Sequence, residues 1–223
     1  MRENPARGFP VPHEKNPRRP LVTEERFQKV RAVAHRVRMV RGHGKKRLEL
    51  PTYLPEVLDL CWHTGRRITA ILALRFQDLR LADGPHGSIL WPASSDKMGK
   101  EWLVPMSVKV RAAIDRVLAE RAGIGKGFLF PSFTCEGEPV RQDAVALWLR
   151  SAEILAGVPK QDGSLFHAYR RGWATSRKFF PLVDVAATGG WSDTATLLKC
   201  YQQADSETMY RVASEPAKLI GRS

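Results

Sequence analysis

His167-Ala168-Tyr169-Arg170, then Gly189-Gly190-Trp191, then Cys200-Tyr201-Gln202: these stretches near the C-terminal end decide how the chain is read. On a helix, positions 167 and 170 share one face, so an imidazole and a planar guanidinium converge on a single anion. Arg171, one position further, competes for that place. Tyr201 offers a hydroxyl nucleophile, and Trp191 carries an indole N–H that can donate to an anionic oxygen.

Upstream, His63-Thr64-Gly65-Arg66-Arg67-Ile68 and Asp96-Lys97-Met98-Gly99-Lys100 supply further cations. Arg67 opens a helix of apolar residues, where backbone N–H groups also favour an anion, and Arg66 competes with it. Lys97 lies in a hairpin turn, where its long stem can carry a proton to a leaving oxygen; Lys100 is the alternative. Taken singly, each residue has an ordinary explanation: a surface arginine, a solvated lysine, a structural histidine, a packed aromatic. Together they provide what phosphoryl transfer without a metal needs, namely charge neutralisation, a proton donor and a nucleophile.

Composition points to the polyanion. The 223 residues carry a formal charge of +13, which attracts nucleic acid through counterion release. Residues 1–50 hold 14 Lys and Arg against 5 Glu, so +9 of that charge is concentrated there. Hydrophobic residues make up 43%, enough for a packed core. Cys61, Cys135 and Cys200 are odd in number and form no CxxC pair, which argues against a disulfide framework or a zinc site. Cys61 and Cys200, in apolar surroundings, are expected to be buried. No apolar run has the length of a membrane span or a signal peptide, so the expected compartment is a reducing cytoplasm.

The pattern along the chain is mostly helical. Residues 1–22, with Pro5, Pro10, Pro12, Pro17 and Pro20, form an extended basic arm. Thr23 caps a helix running to about Val40, and a basic break from Arg41 to Arg47, with Lys45 and Lys46 inside it, follows. A helix from about Thr52 stops at Gly65, and Ile68 to Asp78 form another. Ser88–Pro92 and Glu101–Pro105 read as two strands of a small antiparallel sheet. Helices are expected at 107–122, 141–156, 166–178, 182–188, 194–201 and 206–218.

The order Thr-Gly-x-Arg, hairpin Lys, His-x-x-Arg, Gly-Trp and Tyr resembles the tyrosine recombinase (phage integrase) family over residues 20–210. Leu129-Phe130-Pro131 and the ten-residue interval from Trp191 to Tyr201 add to the match. The resemblance implies a mixed α+β, mostly helical catalytic-domain fold with a small antiparallel sheet. It implies attack by Tyr201 on a DNA phosphate to give a 3′-phosphotyrosyl link, with no metal, ATP or other cofactor. Arg67 and Arg170 would clamp the phosphate, Lys97 would protonate the leaving oxygen, His167 would assist proton transfer, and Trp191 would stand where the family has His or Trp. Arg66, Lys100, Arg171, Lys45, Lys46 and Arg47 are the expected further contacts to double-stranded DNA. The resemblance implies a homotetramer on DNA, bacterial or phage-encoded and cytoplasmic, that exchanges a C-terminal segment, for which residues 206–223 are the candidate. Ala70 departs from the pattern, which has an acid three positions after its first arginine. Family members also carry a DNA-clamping domain ahead of the catalytic one; here the arm 1–22 occupies that place. The expectation is therefore a catalytic domain over 23–223 without a core-binding domain, either an active recombinase or a catalytically silent DNA-binding remnant. A relaxing enzyme with the same chemistry is a third reading.

Overall fold

Helix α1 spans Glu24–Ala34, and Thr23 caps it by accepting a hydrogen bond from the Arg26 amide at 3.3 Å. Phe27, Val30 and Ala34 recur at helical spacing and are buried. The computed structural model describes residues 19–42, 47–95, 99–121, 123–161 and 165–214. The helix stops short of the expected Val40, because Arg38–Arg41 instead form β1, paired antiparallel with β2 at Leu48–Pro51. Thr52 donates to the Val37 carbonyl at 3.2 Å and closes the base of that hairpin. Of the basic break, Arg41 ends β1 and Arg47 precedes β2, while Lys45 and Lys46 lie outside the described residues.

Helix α2, Leu54–Thr64, is buried along almost its whole circumference and ends, as expected, at Gly65 with φ 64°. Helix α3 is only Ile68–Leu72. The expected continuation to Asp78 fails because that backbone finds partners across the chain: Leu129 N donates to Leu74 O at 2.9 Å and Phe76 N to Gly127 O at 3.0 Å. Phe76–Asp78 form a single 3-10 turn. The sheet has the two expected strands, β4 at Ser88–Trp91 and β5 at Trp102–Pro105, and an additional edge strand β3 at Leu79–Arg80. Trp91 pairs with Trp102 across β4 and β5.

The remaining helices fall close to expectation: α4 Val108–Glu120, α5 Gln142–Leu155, α6 Leu165–Thr175, α7 Leu182–Gly189, α8 Thr194–Cys200 and α9 Ser206–Ser214, the rest of the last expected helix, 215–218, lying outside the described residues. Their apolar faces divide into two cores. The larger joins α1 to α6 through side chains such as Leu58, Ile71, Ile114, Leu149 and Tyr169. The smaller contains Trp173, Ala174, Val185, Ala186, Trp191, Leu197 and Tyr201. Cys61 is buried as expected, whereas Cys200 is exposed, because α8 turns Leu197 rather than Cys200 inward. Among the described residues, no helix is long and apolar enough to cross a membrane.

Candidate active site

Helix α6 carries two of the site residues and fixes them differently. Arg170 is 2% exposed, while His167 lies on the open side. The lead-in to α1 straps across the same helix: Val22 N donates to Ala168 O at 3.0 Å. Gly172 is required there, since a Cβ would stand 2.3 Å from the Val22 carbonyl oxygen.

Helix α7 ends at Gly190 in the left-handed region, with φ 73°. Its C-terminal carbonyls meet three arginines. Arg66 donates from Nε to Thr188 O at 2.8 Å and from Nη2 to Ala187 O at 2.9 Å. Arg170 donates from Nη1 to Gly65 O and Gly189 O, and from Nη2 to Gly190 O at 3.3 Å. Arg67, half-buried at the start of α3, reaches Gly190 O at 3.4 Å. Cations are favoured at the negative end of a helix, which allows these like charges to gather. Burial, and then the charge of Arg67, draws the Arg170 guanidinium down to about 9, so it stays charged at neutral pH.

Trp191 follows this turn and is 1% exposed. The Arg170 guanidinium lies 3.5 Å from the Trp191 ring centroid and 5.1 Å from that of Tyr201. Trp173 stacks on Trp191 at 5.9 Å, and Tyr201 meets it edge-on at 5.0 Å. The buried indole N–H of Trp191 has no hydrogen-bond partner, a cost unless something else accepts from it.

Tyr201 caps the end of α8, a helix started by Asp193, which accepts from Thr196 N at 2.6 Å. Thr175 donates to the Tyr201 carbonyl at 3.2 Å, tying the turn to α6. The phenol oxygen lies 3.3 Å from His167 Nδ1. Partial desolvation, then the charges of Arg170, Arg171, Arg67 and Arg19, push the His167 pKa below its ordinary value. The imidazole is therefore neutral at pH 7 and has a ring nitrogen free to accept a proton.

The structure thus brings together Arg67, His167, Arg170, Trp191 and Tyr201. Lys97 lies outside the described residues, and Lys100 is exposed at the near end of β5. Two expected DNA contacts are placed otherwise. Arg66 is 6% exposed and occupied with the α7 carbonyls. Arg171 is 5% exposed and donates to Pro20 O at 2.7 Å. Both turn inward onto backbone carbonyls far away in the sequence, those of Ala187 and Thr188 at the end of α7 and that of Pro20 ahead of α1. Arg47 is exposed and pairs with Glu49 at 3.1 Å. Sequence reasoning missed the carbonyl cluster that aims the arginines; its available signal was the glycine pair Gly189-Gly190 ahead of a tryptophan. Ala70 is buried and lines a small recess with Arg66, Arg67 and Trp91, so no carboxylate at that position supports Arg67. Among the described residues, no group of three or more His, Cys, Asp or Glu converges on a metal position.

The profile of the phage integrase family matches residues 41–208, well over half of the chain. No curated protein matches the chain. Among solved structures, the chain is similar to XerA recombinase, with 17% identity, a TM-score of 0.65, and 88% of this chain and 66% of that one covered. It is similar to XerH site-specific recombinase bound to palindromic difH substrate in a post-cleavage complex, with 19% identity, a TM-score of 0.67, and coverage of 87% and 52%. A lambda integrase tetramer bound to a Holliday junction has 16% identity, a TM-score of 0.58, and coverage of 88% and 49%. The chain spans about half to two thirds of the length of these structures. With the profile matched over most of the chain and the fold shared with these recombinases, the chain belongs to the phage integrase family of tyrosine recombinases.

Proposed function

We propose that the chain is the catalytic part of a site-specific recombinase that breaks and rejoins double-stranded DNA. The observation that carries this reading is the Tyr201 phenol 3.3 Å from His167 Nδ1, on the same spot as Arg170, Arg67 and an indole N–H without a partner. Neutral His167 takes the phenol proton as the Tyr201 oxygen bonds to phosphorus. The bond from phosphorus to the 5′ oxygen breaks, leaving a 3′-phosphotyrosyl link and a 5′-hydroxyl, with Lys97 the proton donor to that oxygen. Arg67 and Arg170 neutralise the nonbridging oxygens, and Trp191 donates to one of them. An anion there also relieves repulsion among the clustered guanidinium groups.

The formal charge of +13 supplies affinity for the phosphate backbone, and Arg47 and Lys100 are exposed toward solvent for that purpose. Assembly as a tetramer on two DNA sites fits α9, whose Met209, Tyr210 and Val212 are 59%, 73% and 77% exposed.

The test is covalent capture on a pool of duplexes carrying a nick near the cleavage position, so that the cleaved end diffuses away. The wild-type chain is expected to accumulate a covalent protein–DNA adduct, and Tyr201→Phe none. A salt-dependent gel shift without adduct on every duplex would replace this reading with that of a silent DNA-binding protein. An adduct that persists in Tyr201→Phe would move the nucleophile elsewhere.

A further inference from the structure

Arg66 stands beside Arg67 in sequence but does something different in space. Its guanidinium is turned inward and grips two successive carbonyls, Ala187 O at 2.9 Å and Thr188 O at 2.8 Å, at the end of α7. Its guanidinium carbon lies over the ring of Trp91, 4.9 Å from the centroid, and Trp91 is itself 2% exposed on β4. The grip is therefore anchored in the sheet, not in the loop it holds. Gly190 is shaped around it, since a Cβ there would stand 2.3 Å from Arg66 Nη1.

The clamped segment leads directly into the site. One residue beyond Thr188, the Gly189 carbonyl accepts from Arg170, and the Gly190 carbonyl accepts from Arg170 and Arg67. Trp191 comes next, and its ring supports both Arg170 and Tyr201. A rotation of this turn would carry the acceptors of both phosphate-facing arginines with it. We infer that Arg66 is a positioning residue, locking the turn from Ala187 to Trp191 against β4 so that Arg170 and Arg67 are aimed at the phosphate. This inference rests on the proposed recombinase site for its effect on rate, but the lock itself is independent of it. A lysine at 66 keeps the charge and loses the fork that holds two carbonyls at once.

The test uses the full chain with Arg66→Lys and Arg66→Met. The first measurement is amide hydrogen exchange. Gly190 N donates to Ala187 O at 3.3 Å and Trp191 N to Ala186 O at 2.8 Å, so both amides report the turn. Their exchange is expected to accelerate about 10-fold or more in Arg66→Lys while amides of α2 and α4 keep theirs. The second is adduct formation on nicked duplex. The rate at saturating DNA is expected to fall about 10²-fold, as for a misplacement of order 1 Å, with the half-saturating DNA concentration unchanged. Arg66→Met is expected to do the same more strongly; if it does not fold, the lysine variant decides alone. Unchanged exchange at Gly190 and Trp191 would overturn the lock. A shift in half-saturating DNA with the rate preserved would overturn the positioning role in favour of a direct DNA contact. A wild-type chain that forms no adduct would count against the recombinase reading, and the exchange measurement would still decide whether Arg66 holds the turn.

Discussion

The body around α2 and the annex around Tyr201 are stabilised in different ways. The body is largely aliphatic: Leu54, Val57, Leu58 and Leu60 are all fully buried, and burying such a side chain contributes roughly 1.5–3 kcal/mol. Its charges are paired with opposite charges, as in Arg26 with Glu153 at 2.6 Å and Arg31 with Asp59 at 2.7 Å. The annex is small and aromatic, and its arginines are held by backbone carbonyls. Carbonyls can hold a guanidinium without neutralising it, so the positive charge remains available to an anion. The difference separates a region built for stability from one that keeps charge unspent at some cost.

The largest expected effect on stability lies in the body. Glu153→Ala leaves the Arg26 guanidinium buried without its carboxylate. Removing one partner of such a pair costs about 3–5 kcal/mol, to be read as a lower urea midpoint. Adduct formation per folded molecule should be unchanged, because Tyr201 packs in the other core, against Trp191 and beside His167. A Glu153→Ala protein that also loses adduct rate per folded molecule would break the division between body and annex.

That division was only partly legible in the sequence. The helical periodicity of Leu54, Val57, Leu58 and Cys61 and the stop at Gly65 are local signals, and α2 followed them. Where the structure departed from expectation, a distant partner decided. Leu74 and Phe76 left the helix because their backbone bonds to Gly127 and Leu129, which no local pattern records. Residues 38–41 became a strand because 48–51 pair with them. In the site, the spacing from His167 to Arg170 placed both residues on α6, and the order of motifs brought Tyr201 to them. The inward turn of Arg66 and Arg171 was not readable, since a composition rich in arginine says nothing about which distant carbonyls the fold brings to each one.

Trp191→Phe tests the annex with a smaller effect on stability. The phenyl ring keeps apolar contact beneath Arg170 and beside Tyr201, and the substitution removes a buried N–H that has no partner. Losing an unsatisfied donor offsets lost packing, so the net change should be within about 1 kcal/mol. The rate of adduct formation should nevertheless fall about 10²-fold, the usual effect of deleting one donor to a developing anion. Thermal unfolding and adduct rate, measured on the same preparation, separate the two quantities. A rate equal to that of the wild type would mean that the indole N–H does not meet the phosphate.

The smallest effect concerns acid, and it divides between the same two regions. His63 packs edge-on against Phe27 in the body, and His167 faces Tyr201 in the annex. Desolvation, opposed by Asp59 and reinforced by Arg177 and Lys109, lowers the His63 pKa; for His167, desolvation and the surrounding arginines act in the same direction. Both imidazoles are therefore less basic folded than in the unfolded chain, where the ordinary value is near 6.5. Above that pH both are neutral in either state, and their contribution to stability is fully present. As pH falls below it, the unfolded chain takes up protons first and stability declines until the folded imidazoles also protonate. His63→Asn should remove part of this slope and leave the pH dependence of adduct formation intact. His167→Asn should remove the acid limb of the adduct rate, because Nδ1 is then no longer there to accept the Tyr201 proton. Urea midpoints and adduct rates measured from pH 5 to 8 check both, and an acid limb that survives His167→Asn would assign the phenol proton to another acceptor.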